Sequence, residues 1–82
     1  MKTLITGGAG FIGCNIAKHF LDKGWDVAVI DDLSRKGARL NLEWLKGLGR
    51  LEFYRQDIRD LKGLKKTISR CGKVDSIHHM AA

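Results

Sequence analysis

Three glycines near the start of the chain, Gly7, Gly10 and Gly13, follow the spacing G-x-x-G-x-x-G within Thr6-Gly7-Gly8-Ala9-Gly10-Phe11-Ile12-Gly13. Residues of this type at this spacing suit a phosphate group. Gly7 permits a tight turn out of an extended segment. Gly10 lets the backbone approach a pyrophosphate with no Cβ in the way, and Gly13 lets a following helix pack closely on a sheet. The N–H groups of that helix's first turn then face the anion. The run is a variant of the dinucleotide fingerprint G-x-G-x-x-G, not a literal match. Asp31 lies 18 residues after Gly13, close to the roughly 20 residues expected of an acidic ribose ligand. A carboxylate there accepts hydrogen bonds from the adenosine ribose hydroxyls, contributing about 1.5–3 kcal/mol as charged bonds. It repels a 2′-phosphate, which favours NAD over NADP; Arg35 and Lys36 just downstream are the counter-signal.

Glycines count for little without the elements that position them. Residues 2–6 read as a short strand centred on Leu4 and Ile5, broken by the glycine run. From Phe11 the period becomes helical, with Ile12, Ile16, Phe20, Ala17 and Leu21 as the expected apolar stripe and Gly24 as the stop. Val27-Ala28-Val29-Ile30 is a continuous apolar run, the pattern of a strand buried on both faces. Residues 33–38 read as a loop. Leu42, Trp44, Leu45 and Leu48 suggest a second helix, and Leu51 to about Gln56 a third strand. Asp60 reads as the N-cap of a helix carrying Leu61, Leu64 and Ile68 and closed by Gly72; Val74 to Met80 reads as a fourth strand. Alternating strands and helices imply an α/β fold with a parallel sheet and right-handed crossovers. Four strands and three helices make an incomplete doubly wound, Rossmann-like domain.

The 82 residues bound the answer to one domain at most, and the 44% apolar and 29% charged residues fit a globular chain. With ten glycines and no proline, a proline-rich linker is excluded. The net charge of +6 is uneven: residues 1–32 hold three lysines against four aspartates, residues 33–82 twelve basic against five acidic residues. A basic half suggests an anionic partner such as a nucleotide or nucleic acid. Solvated helix faces explain it more simply, and no nucleic-acid motif or group of stacking aromatics accompanies it. Cys14 and Cys71 lack metal-ligand spacing, no apolar run reaches membrane-spanning length and no signal pattern follows Met1. A cytoplasmic protein with free thiols and no membrane partner is expected. Packing is the expected role of Cys14, Trp25 and Trp44, and a surface or partly buried position that of His19. His78 and His79 alone are too few ligands for a metal.

The chain resembles the N-terminus of an extended short-chain dehydrogenase/reductase, the NAD-dependent epimerase/dehydratase family. The resemblance covers essentially all 82 residues: TGGAGFIG at 6–13, Asp31-Asp32-Leu33-Ser34, Asp57-Ile58-Arg59-Asp60, and His79-Met80-Ala81-Ala82. Asp32-Leu33-Ser34-Arg35-Lys36-Gly37-Ala38 followed by Asn41-Leu42-Glu43-Trp44-Leu45 is most similar to the CDP-paratose/CDP-tyvelose 2-epimerase branch. The resemblance implies that Gly7, Gly10, Phe11, Ile12 and Gly13 line the pyrophosphate, Asp31 takes the ribose, and Asp32 and Ser34 flank the adenosine. It places Asp57 and Ile58 at the adenine ring and Met80, Ala81 and Ala82 near the nicotinamide-side ribose. Two departures stand out: the family commonly has asparagine where Asp32 stands and glycine where Gln56 stands.

The family's acid/base pair is Tyr-x-x-x-Lys. The single tyrosine here, Tyr54, is followed four residues later by Ile58. The resemblance therefore implies an NAD-binding N-terminal fragment, inactive alone, with the substrate domain absent. Full-length relatives would epimerise a CDP-sugar through transient NAD-dependent oxidation, so a nucleotide-sugar partner is expected only there. The alternative is a stand-alone, non-catalytic nucleotide-binding module. Half of a doubly wound fold leaves apolar sheet uncovered, so self-association is expected.

Overall fold

A computed structural model of the chain describes residues 1–81; Ala82 lies outside the described residues. The elements alternate as β1 (Lys2–Thr6), α1 (Phe11–Asp22), β2 (Asp26–Asp31), α2 (Ala38–Lys46), β3 (Leu51–Arg55), α3 (Leu61–Cys71) and β4 (Ser76–His79). All strand pairs are parallel, in the order β3-β2-β1-β4. Strands β1 and β2 sit in register from Lys2 opposite Asp26 to Thr6 opposite Ile30. Leu4, Ile5, Val27, Ala28, Val29 and Ile30 are each at most 1% exposed, so the central strands are covered on both faces, as their unbroken apolar run requires.

Alternation of side chains along β1 and β2 divides the core. Ile5, Val27 and Val29 pack with Cys14, Ala17, Leu21 and Leu45, which places α1 and α2 on one face. Leu4, Ala28 and Ile30 pack with Cys71, Leu64 and Val74, which places α3 on the other. The helix ends follow local chemistry. Asp60 caps α3, its side chain accepting the Gly63 N–H at 3.1 Å. Trp25 packs on Phe20, ring centroids 4.7 Å apart.

The stripes differ from the periodic reading in three places. On α1 the buried residues are Gly13, Cys14, Ala17 and Leu21, while Ile12 is 63% exposed. The helix comes so close to the sheet that small side chains fill the contact and the larger Ile12, Ile16 and Phe20 shift to its shoulder. On α2 the stripe is Ala38, Leu42 and Leu45; Trp44 is 43% exposed and is not a core residue. On α3, Thr67 and Cys71 are buried and Leu61 and Ile68 are exposed. Thr67 tolerates burial because its hydroxyl donates to the Gly63 carbonyl at 2.9 Å.

Candidate functional site

The carboxyl ends of β1, β2 and β3 open into one cavity of about 550 Å³, within the usual range for small-molecule sites. It is lined by Gly7, Gly10, Phe11, Ile12, Gly13, Asp31, Asp32, Ser34, Asp57, Ile58, Met80 and Ala81. Every candidate residue singled out in the sequence is thus on one wall or another of the same space, except Ala82, which lies outside the described residues. Ile30, Gln56, Arg35 and Arg59 also line it. The sequence signal for Gln56 and Arg59 was their position on either side of Asp57-Ile58.

The glycine turn is built by close approach. Gly7 has φ +71°, and a Cβ there would stand 2.7 Å from the Ala81 nitrogen. Its N–H donates to the Ile30 carbonyl at 2.7 Å, tying the turn to the end of β2. A Cβ on Gly13 would overlap the Gly7 carbonyl oxygen and stand 2.9 Å from the Gly8 Cα, so α1 starts directly on the turn. Gly10 differs. Its nearest neighbour to an added Cβ is the Gly7 oxygen at 3.3 Å, and the residue lines the cavity. Gly10 is the N-cap of α1 and offers no side-chain bond, and no acceptor among the described residues meets the first-turn N–H groups of Phe11 and Ile12. Donors with no protein partner at a helix N-terminus favour an anion.

The opposite end of the cavity is acidic and ordered by its own bonds. Asp31 Oδ2 accepts the Ala9 N–H at 3.1 Å and Oδ1 accepts the Leu33 N–H at 2.7 Å. Each oxygen keeps a lone pair for a further donor. Asp32 Oδ1 accepts both the Ser34 hydroxyl at 2.7 Å and the Ser34 N–H at 3.0 Å, and these bonds hold its carboxyl below the usual carboxylate range. Arg59 forks onto Asp57 through Nε and Nη2, at 3.1 and 2.7 Å to Oδ2, and lowers the Asp57 carboxyl likewise. The rim therefore carries fixed anions with one arginine already engaged.

Side chains with other chemistry lie away from this cavity. The Tyr54 hydroxyl donates to Glu52 at 2.8 Å, and that bond, with burial, pushes its pKa up to about 12. A general base needs the reverse shift. Burial raises the Cys14 thiol, so the helix N-terminus does not activate it. His79 Nδ1 is 2.7 Å from the Thr6 hydroxyl, and His78 packs on Phe20. No group of three or more metal-ligating side chains occurs among the described residues, and no helix there is long and apolar enough to cross a membrane.

Comparison with known proteins agrees with this arrangement. Residues 4–82 match the family model for GDP-mannose 4,6 dehydratase. The chain is 48% identical over 81 residues to the CDP-paratose 2-epimerase of Salmonella typhi, covering 99% of this chain and 24% of that protein. The solved UDP-Glc/GlcNAc 4-epimerase of Campylobacter jejuni superposes with a TM-score of 0.87 at 40% identity, over 99% of this chain and 24% of that one. The UDP-glucose 4-epimerase of Thermus thermophilus, solved in complex with NAD, gives 0.82 at 39% identity over 100% and 24%. The chain thus spans about a quarter of the length of these relatives. Its strand order, its glycine turn and the match over nearly every residue agree: the chain belongs to the GDP-mannose 4,6 dehydratase family of NAD-dependent epimerases and dehydratases.

Proposed function

We propose that residues 1–82 are the N-terminal part of a Rossmann domain and bind NAD by its adenosine and pyrophosphate. One observation carries this reading. The cavity joins a glycine turn with unpartnered helix N–H groups to a pair of aspartates, and between them these match the two ends of an adenosine diphosphate. Gly7, Gly10, Phe11, Ile12 and Gly13 receive the pyrophosphate. Asp31 accepts from the ribose, Asp32 and Ser34 flank the adenosine, Asp57 and Ile58 border the adenine, and Met80, Ala81 and Ala82 approach the nicotinamide-side ribose. Two fixed carboxylates at the ribose end disfavour a 2′-phosphate, so NAD is preferred to NADP. When bound, NAD supplies hydride transfer.

The 48% identity to a CDP-paratose 2-epimerase favours a CDP-sugar as substrate of the longer enzyme. Its catalytic tyrosine and lysine would lie beyond these residues, since Tyr54 is bonded to Glu52 outside the cavity. The protein is a cytoplasmic one in this reading, with no nucleic-acid or membrane partner. Ile77 of the edge strand β4 is 57% exposed on the α3 face of the sheet, and Phe11 and Ile12, 74% and 63% exposed, lie on the α1 face beside His78 of the same strand. The isolated chain self-associates through that uncovered edge.

Calorimetric titration with NAD, and NADP in parallel, tests the binding. Gly10→Ala is the informative variant. Gly10 has φ −74°, which any residue adopts, and an added Cβ meets only the Gly7 oxygen, at a tight 3.3 Å that a shift of a few tenths of an ångström relieves, while the approach to a pyrophosphate is blocked. NAD binding weakened at least tenfold is expected, about 1.4 kcal/mol. No binding by the folded wild-type chain would overturn the reading.

A further inference from the structure

The middle of the glycine turn is held by a residue that the cavity does not include. Asn41, on α2, donates from Nδ2 to the Ala9 carbonyl at 2.8 Å across 32 residues of chain. The opposite face of Ala9 is held too: its N–H donates to Asp31 Oδ2 at 3.1 Å. Its methyl is 0% exposed and packs on Ala38 and Leu42 of the same helix. The next N–H, that of Gly10, donates to the Gly7 carbonyl at 3.1 Å. The Ala9–Gly10 peptide is therefore bonded at both its oxygen and its nitrogen. That peptide leads directly into the N-cap of α1 and fixes where the free Phe11 and Ile12 N–H groups point.

We infer that Asn41 is a positioning residue for the pyrophosphate. The inference rests on the proposed NAD binding. Asn41 acts through the Ala9 carbonyl and touches no ligand. Asp31 stands on both sides of the arrangement, as ribose acceptor and as the second anchor of the same turn. Asp31 Oδ1 has its own bond to the Leu33 N–H, so the ribose end stays in place when Asn41 is lost. Loss of Asn41 therefore separates the two ends of the site. A donor is required of this side chain, since its partner is a carbonyl.

The test uses two variants that α2 accepts. Asn41→Ala improves helix propensity, and Asn41→Asp places a carboxylate near a helix N-terminus, where it is tolerated. Each is titrated with NAD and ADP by calorimetry and with adenosine by NMR. Asn41→Ala is expected to weaken NAD and ADP about three- to tenfold, the range of one hydrogen bond, and adenosine less than twofold. Asn41→Asp is expected to weaken NAD and ADP further, because its oxygen faces the Ala9 carbonyl. Equal loss for adenosine and ADP, or no loss for either, overturns the positioning role. Failure of the wild type to bind any of the three overturns the NAD reading instead. Amide hydrogen exchange without ligand then decides on Asn41. In Asn41→Ala the Ala9 and Gly10 amides are expected to exchange at least fivefold faster, with Val29 unchanged; equal rates overturn the anchor.

Discussion

Replacing Gly13 by alanine tests the close approach on which the whole turn depends. Alanine in place of glycine inside a helix ordinarily stabilises by about 1 kcal/mol. Gly13 lies in the first turn of α1, so propensity alone predicts a gain. The structure reverses the sign. The added Cβ would overlap the Gly7 carbonyl oxygen and stand 2.9 Å from both the Gly7 carbonyl carbon and the Gly8 Cα. All three are backbone atoms, and Gly7 is itself tied to Ile30. No flexible side chain can yield. Forcing one carbon into a packed contact costs about 1–3 kcal/mol, sometimes more. The net expectation is a loss of about 1–2 kcal/mol, or roughly 5–15 °C in Tm for a domain of this size. Gly47→Ala is the control: its backbone is ordinary right-handed and the added Cβ meets its nearest neighbour at 3.6 Å. It should be neutral or stabilise by up to about 1 kcal/mol. Thermal and urea unfolding of both variants give the answer. Gly13→Ala melting at or above the wild-type Tm refutes the argument, because the turn and α1 would then not be in contact.

Asp31→Ala removes the ribose acceptor and the bonds to Ala9 and Leu33 together, so NAD should bind more than tenfold weaker, and a calorimetric titration within threefold of wild type would contradict both roles. The single tyrosine gives a clean optical titration: absorbance near 295 nm should show Tyr54 ionising at about 12, and Glu52→Ala should bring that midpoint down towards 10. Tyr54's folded pKa is raised, so its contribution to stability is present below pH 10 and is lost as pH rises towards 12. Asp32, Glu52 and Asp57 carry the opposite sign: their folded values are lowered, so their contribution is present above the ordinary carboxylate range and is lost as pH falls through it, which acid denaturation of the double variant Asp32→Asn, Asp57→Asn should show as a shallower dependence. Ile77→Lys places a charge on the exposed edge strand, and sedimentation should find it monomeric at concentrations where the wild-type chain associates.

Much of the fold was legible because its signals are local. The run Val27–Ile30 has no polar face, so it had to be a strand covered twice, and Gly10 and Gly13 stand where the chain turns from β1 into α1. Asp60 was legible as a cap because a short acceptor before an apolar period has one good use. The helix stripes were less so. Periodicity weights large side chains, whereas the contact of α1 with the sheet is too close for them and selects Gly13, Cys14 and Ala17. Trp44 misled for the same reason: Ala38, Leu42 and Leu45 already form a stripe at spacings of four and three, and Trp44 is off it. The cavity's residue set followed from the family resemblance together with the parallel order of strands. The fork of Arg59 on Asp57 did not, since a pair two residues apart outside regular structure leaves no periodic trace.

What no local signal discloses is that the acidic end and the glycine end are one mechanical unit. A carboxylate at the end of β2 reads, in sequence, as a ligand for a ribose. In the fold, Asp31 also accepts the Ala9 N–H, and Asn41 donates from α2 to the Ala9 carbonyl of the next peptide. The ribose acceptor is therefore part of the scaffold of the phosphate cradle. This has a consequence for changing cofactor preference. Exchanging Asp31 for a neutral or basic residue to admit a 2′-phosphate would also release Ala9 from β2 and leave the turn tied to that strand only by the Gly7 N–H on the Ile30 carbonyl, so NAD affinity should fall along with the preference. Asp32→Ser is the better substitution for that purpose, because Asp32 is bonded only to Ser34 among the described residues. It removes one of the two anions and leaves both anchors of Ala9 in place. Titration should then find NADP affinity raised relative to NAD with NAD itself within about threefold of wild type. A loss of NAD binding as large as that of Asp31→Ala would mean the two aspartates share the structural task, and the division drawn between them would be wrong.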